Sequence, residues 1–408
     1  MGTYYQRCKT CVMDTTDPQI KFYDDGTCSH CKHALKYASH NTQRHSLSDI
    51  LSFFNHKRIE SYANSEYDVL IGLSGGIDSS WLLHLLSKSN LRLYVHHVDT
   101  GWNSPEAVTN IYGICDKLKL NLASHVVNWN TMRRLQQAFF YSGVINQDIP
   151  QDIAIFTSQV QACLKNSIRF IASGANNTTE SILPSSWGHH WHDQANLYAI
   201  HKWLWNSSPL QFPYCRFSDI VNYRLNTHKD FSTVNILDLI PYDKKKAVDL
   251  LVKEYGYKCY PHKHGESLWT LYYQSVYLPS VFGIDKRKAH LSNLVINQDM
   301  SRDEALRKLR EPVLDTEQLI ELCNLVAIKL SIPLEHALSP GEYVIRVEHD
   351  KYCRSKSMID KFTYEYYSSK PEVRGELATE FIKSYESLVM SMVVGFVESS
   401  KVSVDYGG

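Results

Sequence analysis

Long apolar runs are missing from this chain. The longest, Leu388 to Val397, is broken by Ser391 and Gly395. It falls short of the roughly 18 consecutive apolar residues that a membrane helix needs. The stretch from Met1 to Cys11 is polar and lacks the apolar core of a secretory signal, so a soluble cytoplasmic protein is expected. Net charge is missing too: 43 Lys and Arg balance 43 Asp and Glu over 408 residues. Such a chain has no global electrostatic footprint for nucleic acid, which disfavours a tRNA partner while leaving room for a local basic patch. Glycine (18) and proline (13) are scarce, which excludes collagen-like and low-complexity chains. Ten cysteines are too few for a disulfide scaffold of this size. What is present is 43% hydrophobic residues, ample for a buried core, in a length that suits two to three domains.

Four of the cysteines cluster as Cys8, Cys11, Cys28 and Cys31, with the spacing C-x2-C-x16-C-x2-C. That spacing lies in the zinc-ribbon range, and each CxxC pair can deliver two thiolates to one tetrahedral ion. A site filled by four cysteines is closed, hence structural. His30 and His33 are spare ligands. The small segment 1–40 has few apolar residues, so a metal is its expected staple. The other six cysteines stand alone and read as ordinary buried thiols. Residues 41–66 read as a connecting helix.

From Tyr67 onward, strand-like runs alternate with helical patterns. Strands are expected over Asp68–Leu73, Leu91–Val98, Ser124–Trp129, Ser167–Ala172 and Val234–Ile240. Helices are expected after Gly76, from Pro105 to Leu118, around 131–141 and 151–165, and over Lys244–Tyr255 with Gly256 as the stop. This alternation predicts βαβ units and a parallel sheet covered on both faces, an α/β fold. Helical patterning dominates after about residue 265, as in Arg302–Arg310, Asp315–Leu330 and Glu376–Phe396. The Trp- and His-rich insert at about 175–233 reads as a ligand-binding segment beyond a strand end, with aromatic packing as the alternative.

Ser74-Gly75-Gly76-Ile77-Asp78-Ser79-Ser80 follows a strand and opens a helix. Its glycines let backbone N–H groups approach an anion, and the helix terminus adds partial positive charge. Asp78 is out of place in a pure anion nest and makes sense if Mg²⁺ bridges it to phosphates. No Lys follows the glycines, so this is neither a Walker loop nor a dinucleotide fingerprint. Two polar clusters, Pro261 to Ser267 and Gly283 to Lys288, read equally as phosphate or carboxylate contacts and as solvated loops.

The motif resembles the PP-loop, the SGGxDS signature of the ATP pyrophosphatase superfamily. Gly174-Ala-Asn-Asn177-Thr-Thr-Glu180 is similar to the GTxNxxE element of ammonia-dependent NAD synthetases, with Ala175 departing from the pattern. Pro241-Tyr-Asp-Lys244 resembles their PLxK element. The resemblance implies ATP contacts from Ser74, Gly75, Gly76, Asp78, Ser79, Ser80, Asp99 and Gly174. It also implies Mg²⁺ on Asp78 and Glu180, and charge neutralisation on departing pyrophosphate by Lys244. It divides the chain into a zinc module (1–40), a connecting helix (41–66), a PP-loop ATP pyrophosphatase domain (67–265) and a mainly helical C-terminal region (266–408).

Together with the four-cysteine module, the Trp187 to Asn196 segment, His262-Lys-His-Gly-Glu-Ser and Gly283-Ile-Asp-Lys-Arg-Lys-Ala-His290, the chain is similar along nearly its full length to the N-acetyl sugar amidotransferase family of bacterial surface-polysaccharide biosynthesis. That resemblance implies conversion of an acetamido group on a nucleotide-activated sugar into an acetamidino group. ATP would be split to AMP and pyrophosphate. Ammonia would come from a separate glutaminase, as in the pair used in histidine biosynthesis. Sugar contacts are then expected from Asn177, Trp187, His190, Asp193, His262, Lys263, His264, Glu266, Lys286 and Arg287. The competing readings are a PP-loop enzyme that thiolates tRNA and a non-catalytic ATP-binding scaffold.

Overall fold

A computed structural model describes residues 5–40, 45–61, 65–176, 181–188, 194–206, 212 and 232–345. Five strands form one parallel sheet: β1 (Val69–Gly72), β2 (Leu93–Asp99), β3 (Leu122–Val126), β4 (Phe170–Ser173) and β5 (Ser232–Asn235), in the order β3-β2-β1-β4-β5. The register pairs Val69 with both Leu93 and Phe170. The chain winds from β1 to β2 to β3 on one side, then returns to the other side of β1 for β4. A switch point therefore lies between β1 and β4, where parallel sheets open a crevice at their carboxyl ends.

Alternation along β1 feeds two layers. Val69, Ile71 and Leu73 pack with Leu82, Leu83 and Leu86 of α3 (Ile77–Ser87), Ile111 and Ile114 of α4 (Pro105–Leu118), and Leu251. Leu70 and Ile171 face the opposite way, onto Val160 and Cys163 of α6 (Ile149–Asn166). Preceding α6 is α5 (Trp129–Ser142). The first two helices are α1 (Ser29–His40) and α2 (Leu47–Ser61). Local chemistry sets the helix starts and stops. Ser104 caps α4 by accepting from the Ala107 N–H at 3.2 Å, with Pro105 at the first helical position. The Lys244–Tyr255 helix begins at Asp243, which accepts from Lys246, and ends at Gly256 with φ +68°.

The fifth strand departs from the sequence expectation. Val234–Ile240 reads as one apolar strand, but pairing stops at Asn235 and Ile236–Leu239 forms one helical turn. A short apolar run does not distinguish strand from buried helix. Lys244 consequently follows that turn rather than the strand.

Beyond residue 266 the described structure is helical. Leu268–Tyr272 runs through a π-helical turn, Tyr273–Tyr277, into Leu278–Phe282. Then come α7 (Arg287–Ile296), α8 (Arg302–Arg310) and α9 (Thr316–Leu330), the last opened by a capping box between Asp315 and Gln318. These helices share one core with the cysteine module, through Trp102, Trp187, Trp269, Tyr272, Tyr277 and Leu330. No helix among the described residues is long and apolar enough to cross a membrane. The Leu388–Val397 run and the helix expected over Glu376–Phe396 lie outside the described residues.

Candidate functional site

The PP-loop is built by close backbone approach. Gly75 has φ +82°, and a Cβ there would lie 2.7 Å from the Ala107 carbonyl oxygen of α4, so only glycine fits. The Gly75 carbonyl oxygen accepts from Tyr260 Oη (2.8 Å), Tyr257 Oη (3.0 Å) and Asn110 Nδ2 (3.3 Å). Burial pushes both phenols up, Tyr260 to about 12, so they remain donors. Ser74 Oγ accepts from the Gly76 N–H at 3.2 Å and lies 3.0 Å from Ser79 Oγ. Gly174 at the end of β4 closes the crevice from the other side. A Cβ on it would come within 3.0 Å of the Ser79 nitrogen and 3.1 Å of the Asp78 carbonyl carbon.

Asp78 lies in the first turn of α3 and accepts a short hydrogen bond from Tyr242 Oη. Burial and the Asp78 charge push the Tyr242 phenol up, which keeps that donor protonated. Lys244 opens its helix two residues later. Glu180 and Asn177 lie outside the described residues, as do His190 and Asp193. Ser80 is fully buried, and its hydroxyl has no hydrogen-bond partner. Asp99 closes β2 and accepts from the Gly101 N–H at 2.7 Å, the turn role. Asp78 offers hard oxygen ligands in the first turn of the helix that follows the Gly-rich loop, a donor type that fits Mg²⁺.

A cavity of about 800 Å³ starts at this loop. It is lined by Gly72, Leu73 and Ser74, by His96, His97 and Thr100 from the end of β2, by His262, Lys263, His264 and Glu266, and by Lys286, Arg287 and His290. The structure thus brings the two polar clusters of the sequence to the PP-loop. Glu266 is pushed up by burial, but His264, 3.5 Å away, and the Lys244 charge outweigh that and hold it below the usual glutamate range. His97 lies between the Leu73 carbonyl oxygen (2.8 Å from Nδ1) and the Asn103 amide (3.0 Å from Nε2), the pattern of a neutral ring. Burial lowers both histidines, His96 to about 4.

Two expected sugar contacts carry other work. Trp187 is fully buried, and its indole N–H donates to the Thr16 carbonyl oxygen at 3.4 Å. It packs the cysteine module and is not among the cavity-lining residues. Arg287 reaches the cavity wall, but its guanidinium pairs with Asp285 at 2.8 Å and donates to the Lys308, Leu309 and Glu311 carbonyl oxygens, capping α8. Sequence reasoning missed Asp148, Gln151 and Asp152, which face the cavity from the first turns of α6. Asp148 accepts from Thr270 Oγ1 and Gln151 Nε2, both at 3.1 Å. Burial, then the Asp148 charge, push Asp152 up to about 8, with Lys286 opposing. A polar face on a helix carries no mark in sequence that it turns inward.

The four cysteine sulfurs lie within 4.8 Å of one another, and three of their separations are 3.7 Å. Zinc–sulfur bonds of about 2.3 Å set tetrahedral edges of roughly 3.8 Å, so this cluster could hold zinc. Backbone N–H groups of Thr10, Cys11 and Met13 point at the sulfurs at 3.4–3.5 Å. His30 is paired with Asp17 at 2.7 Å instead. The module is clamped onto α7 and α8. Arg302 donates to the Cys8 and Cys11 carbonyl oxygens, at 2.8 and 3.0 Å, and Lys288 pairs with Asp14 at 2.7 Å. Of the single cysteines, Cys115, Cys163 and Cys323 are buried as expected; Cys259 is exposed, and Cys215 and Cys353 lie outside the described residues.

Two family models match parts of this chain. Residues 68–142 match the phosphoadenosine phosphosulfate reductase domain. Residues 266–369 match the C-terminal domain of the WbpG-like LPS biosynthesis proteins. Among solved structures, the NH3-dependent NAD synthetase from Campylobacter jejuni subsp. jejuni NCTC 11168 is 15% identical, over 44% of this chain and 82% of that one, with a TM-score of 0.27. The NMN synthetase from Francisella tularensis is 11% identical, over 70% of this chain and 94% of that one, with a TM-score of 0.31. No curated protein matches the chain.

Proposed function

For a chain that joins a PP-loop ATP-utilising domain to a WbpG-like domain of LPS biosynthesis, we propose an ATP-dependent amidotransferase. It converts the acetamido group of a nucleotide-activated sugar into an acetamidino group during surface-glycan (O-antigen) assembly. One observation carries this reading. A single cavity of about 800 Å³ runs from the PP-loop to the polar wall of the WbpG-like domain. Its volume is in the range of small-molecule and cofactor sites, and its lining joins residues of both segments.

The chemistry follows from a poor leaving group. Ammonia cannot displace an amide oxygen directly. The acetamido oxygen therefore attacks the α-phosphorus of ATP, the bond to pyrophosphate breaks, and the amide nitrogen gives up its proton. Ammonia then adds to the imidate carbon, the carbon–oxygen bond breaks, and AMP departs, leaving the amidine. The protein's share is positioning and charge stabilisation. The loop from Ser74 to Ser79 seats the phosphates, with Ser80 buried beneath it. Lys244 meets the charge on pyrophosphate. Asp78, with Glu180, would hold Mg²⁺, which supplies charge neutralisation on the phosphates. Lys263, His264, Lys286 and His290 face the sugar nucleotide. Zinc on the cysteine tetrad is structural. Ammonia arrives from a separate glutaminase partner in the cytoplasm.

The test is pyrophosphate release from MgATP and ammonium with UDP- and CMP-linked N-acetyl sugars, beside an unmodified tRNA control. Release that needs one of the sugars, and that Asp78→Ala abolishes while the protein remains folded, is expected. Release driven by tRNA alone would contradict the reading.

A further inference from the structure

We propose that Glu266 is a second carboxylate of the nucleotide site. It recruits the divalent cation of a metal-bound triphosphate to the PP-loop and turns the bare triphosphate away. The inference rests on the reading of the loop as an ATP site and adds the residue that sets its metal preference.

Placement comes first. A Cβ built on Gly76 would lie 3.6 Å from Glu266 Oε1, so this carboxylate rests on the backbone of the anion-binding loop. The side chain retains 23% of its exposure and lines the cavity. Its backbone is fixed independently of the carboxylate. The Glu266 carbonyl oxygen accepts from the Ser104 N–H at 2.9 Å, and Leu268 N–H donates to the Trp102 carbonyl oxygen at 2.9 Å. Asn103 and Ser267 form an antiparallel bridge between them. The approach to this position is strained. His264 has φ +60°, and Gly265 has no room for a side chain, since a Cβ would lie 2.9 Å from Tyr260 Cβ. Backbone in a rare conformation persists where surrounding structure holds it, and it concentrates at functional sites.

An ionised carboxylate beside a phosphate nest repels phosphate. His264 and Lys244 offset part of that charge and keep Glu266 ionised. The backbone of the segment is anchored by the Ser104 and Trp102 hydrogen bonds, while the carboxylate pairs with His264 at 3.5 Å and lies against Gly76 at the loop. Asp78 in the first turn of α3 and Glu266 against Gly76 are hard oxygen donors of the kind Mg²⁺ takes together with phosphate oxygens and water.

The experiment is equilibrium binding of ATP by calorimetry, with Mg²⁺ and with EDTA, to the full chain and to Glu266→Gln and Glu266→Asp. Mn²⁺ binding in the presence of a non-hydrolysable ATP analogue, read by electron paramagnetic resonance, gives a second signal independent of turnover. The wild-type protein is expected to prefer MgATP. Glu266→Gln should bind MgATP roughly tenfold more weakly, bind bare ATP as well or better, and lose Mn²⁺ affinity. Glu266→Asp should keep the preference. Equal weakening of both nucleotide forms in Glu266→Gln, or no change, would overturn the proposal while leaving the ATP site standing. A wild-type protein that binds neither form would overturn both.

Discussion

Asp152 gives the loop-side cavity a pH signature. It faces the cavity beside Asp148 on α6, with Lys286 and the Tyr273 phenol as its other charged or titratable neighbours. Burial, then the Asp148 charge, raise it from 3.8 in the unfolded chain to about 8. Below pH 3.8 both states are protonated and the group costs nothing. Between there and about 8 the unfolded chain ionises first, so stability falls as pH rises, by about 1.4 kcal/mol for each pH unit. The ceiling is on the order of 6 kcal/mol; Asp152 is only partly buried, and solvent screening leaves a few. Asp152→Asn keeps the shape and removes the ionisation. Urea unfolding should find the variant a few kcal/mol more stable than wild type at about pH 8 and close to it at about pH 4. Asp148, also raised by burial, keeps its own share, so the slope becomes shallower rather than flat. The same stability difference at both pH values would refute the reasoning.

Arg302→Ala removes the donors on the Cys8 and Cys11 carbonyl oxygens. At about 1.5–3 kcal/mol for a hydrogen bond to a charged group, zinc should leave to a chelator at least tenfold faster; an unchanged rate would contradict the clamp. Replacing Cys8 and Cys11 by serine should abolish zinc binding and raise the KM for the sugar nucleotide, because α7 loses the module it packs on; full zinc content would refute the site. Gly75→Ala forces a side chain to φ +82° against the Ala107 carbonyl oxygen. Strain of about 1–3 kcal/mol should lower the melting temperature and remove MgATP binding, and intact binding would contradict the loop geometry.

Much of this arrangement is legible in sequence because the physics is local. The first four strands and the helix after Gly76 carry short apolar runs and helical patterns bounded by glycines whose positive φ or close approach the structure requires, although the third strand is Leu122–Val126 and Trp129, read as its end, opens α5. The CxxC pairs likewise announce a cluster. The misreadings share a cause, which is dependence on a partner distant in sequence. Ile236–Leu239 looks like strand until the pairing to β4 ends at Asn235. Trp187 looks like a sugar platform until Thr16 takes its indole. Arg287 looks like a phosphate contact until the α8 carbonyl oxygens occupy it. Asp148 and Asp152 are missed because nothing local marks them: their neighbours Thr270 and Lys286 are more than a hundred residues away.

The central claim is that the acetamido oxygen is the atom that attacks ATP. Incubating the protein with MgATP, ammonium and the acceptor sugar nucleotide labelled with heavy oxygen in its acetamido group tests it directly, with mass spectrometry of every product. The account predicts the label in AMP and a sugar product lighter by ~1 Da than the unlabelled substrate, as expected when NH replaces O. Label retained in the sugar, or recovered in inorganic phosphate, would contradict it.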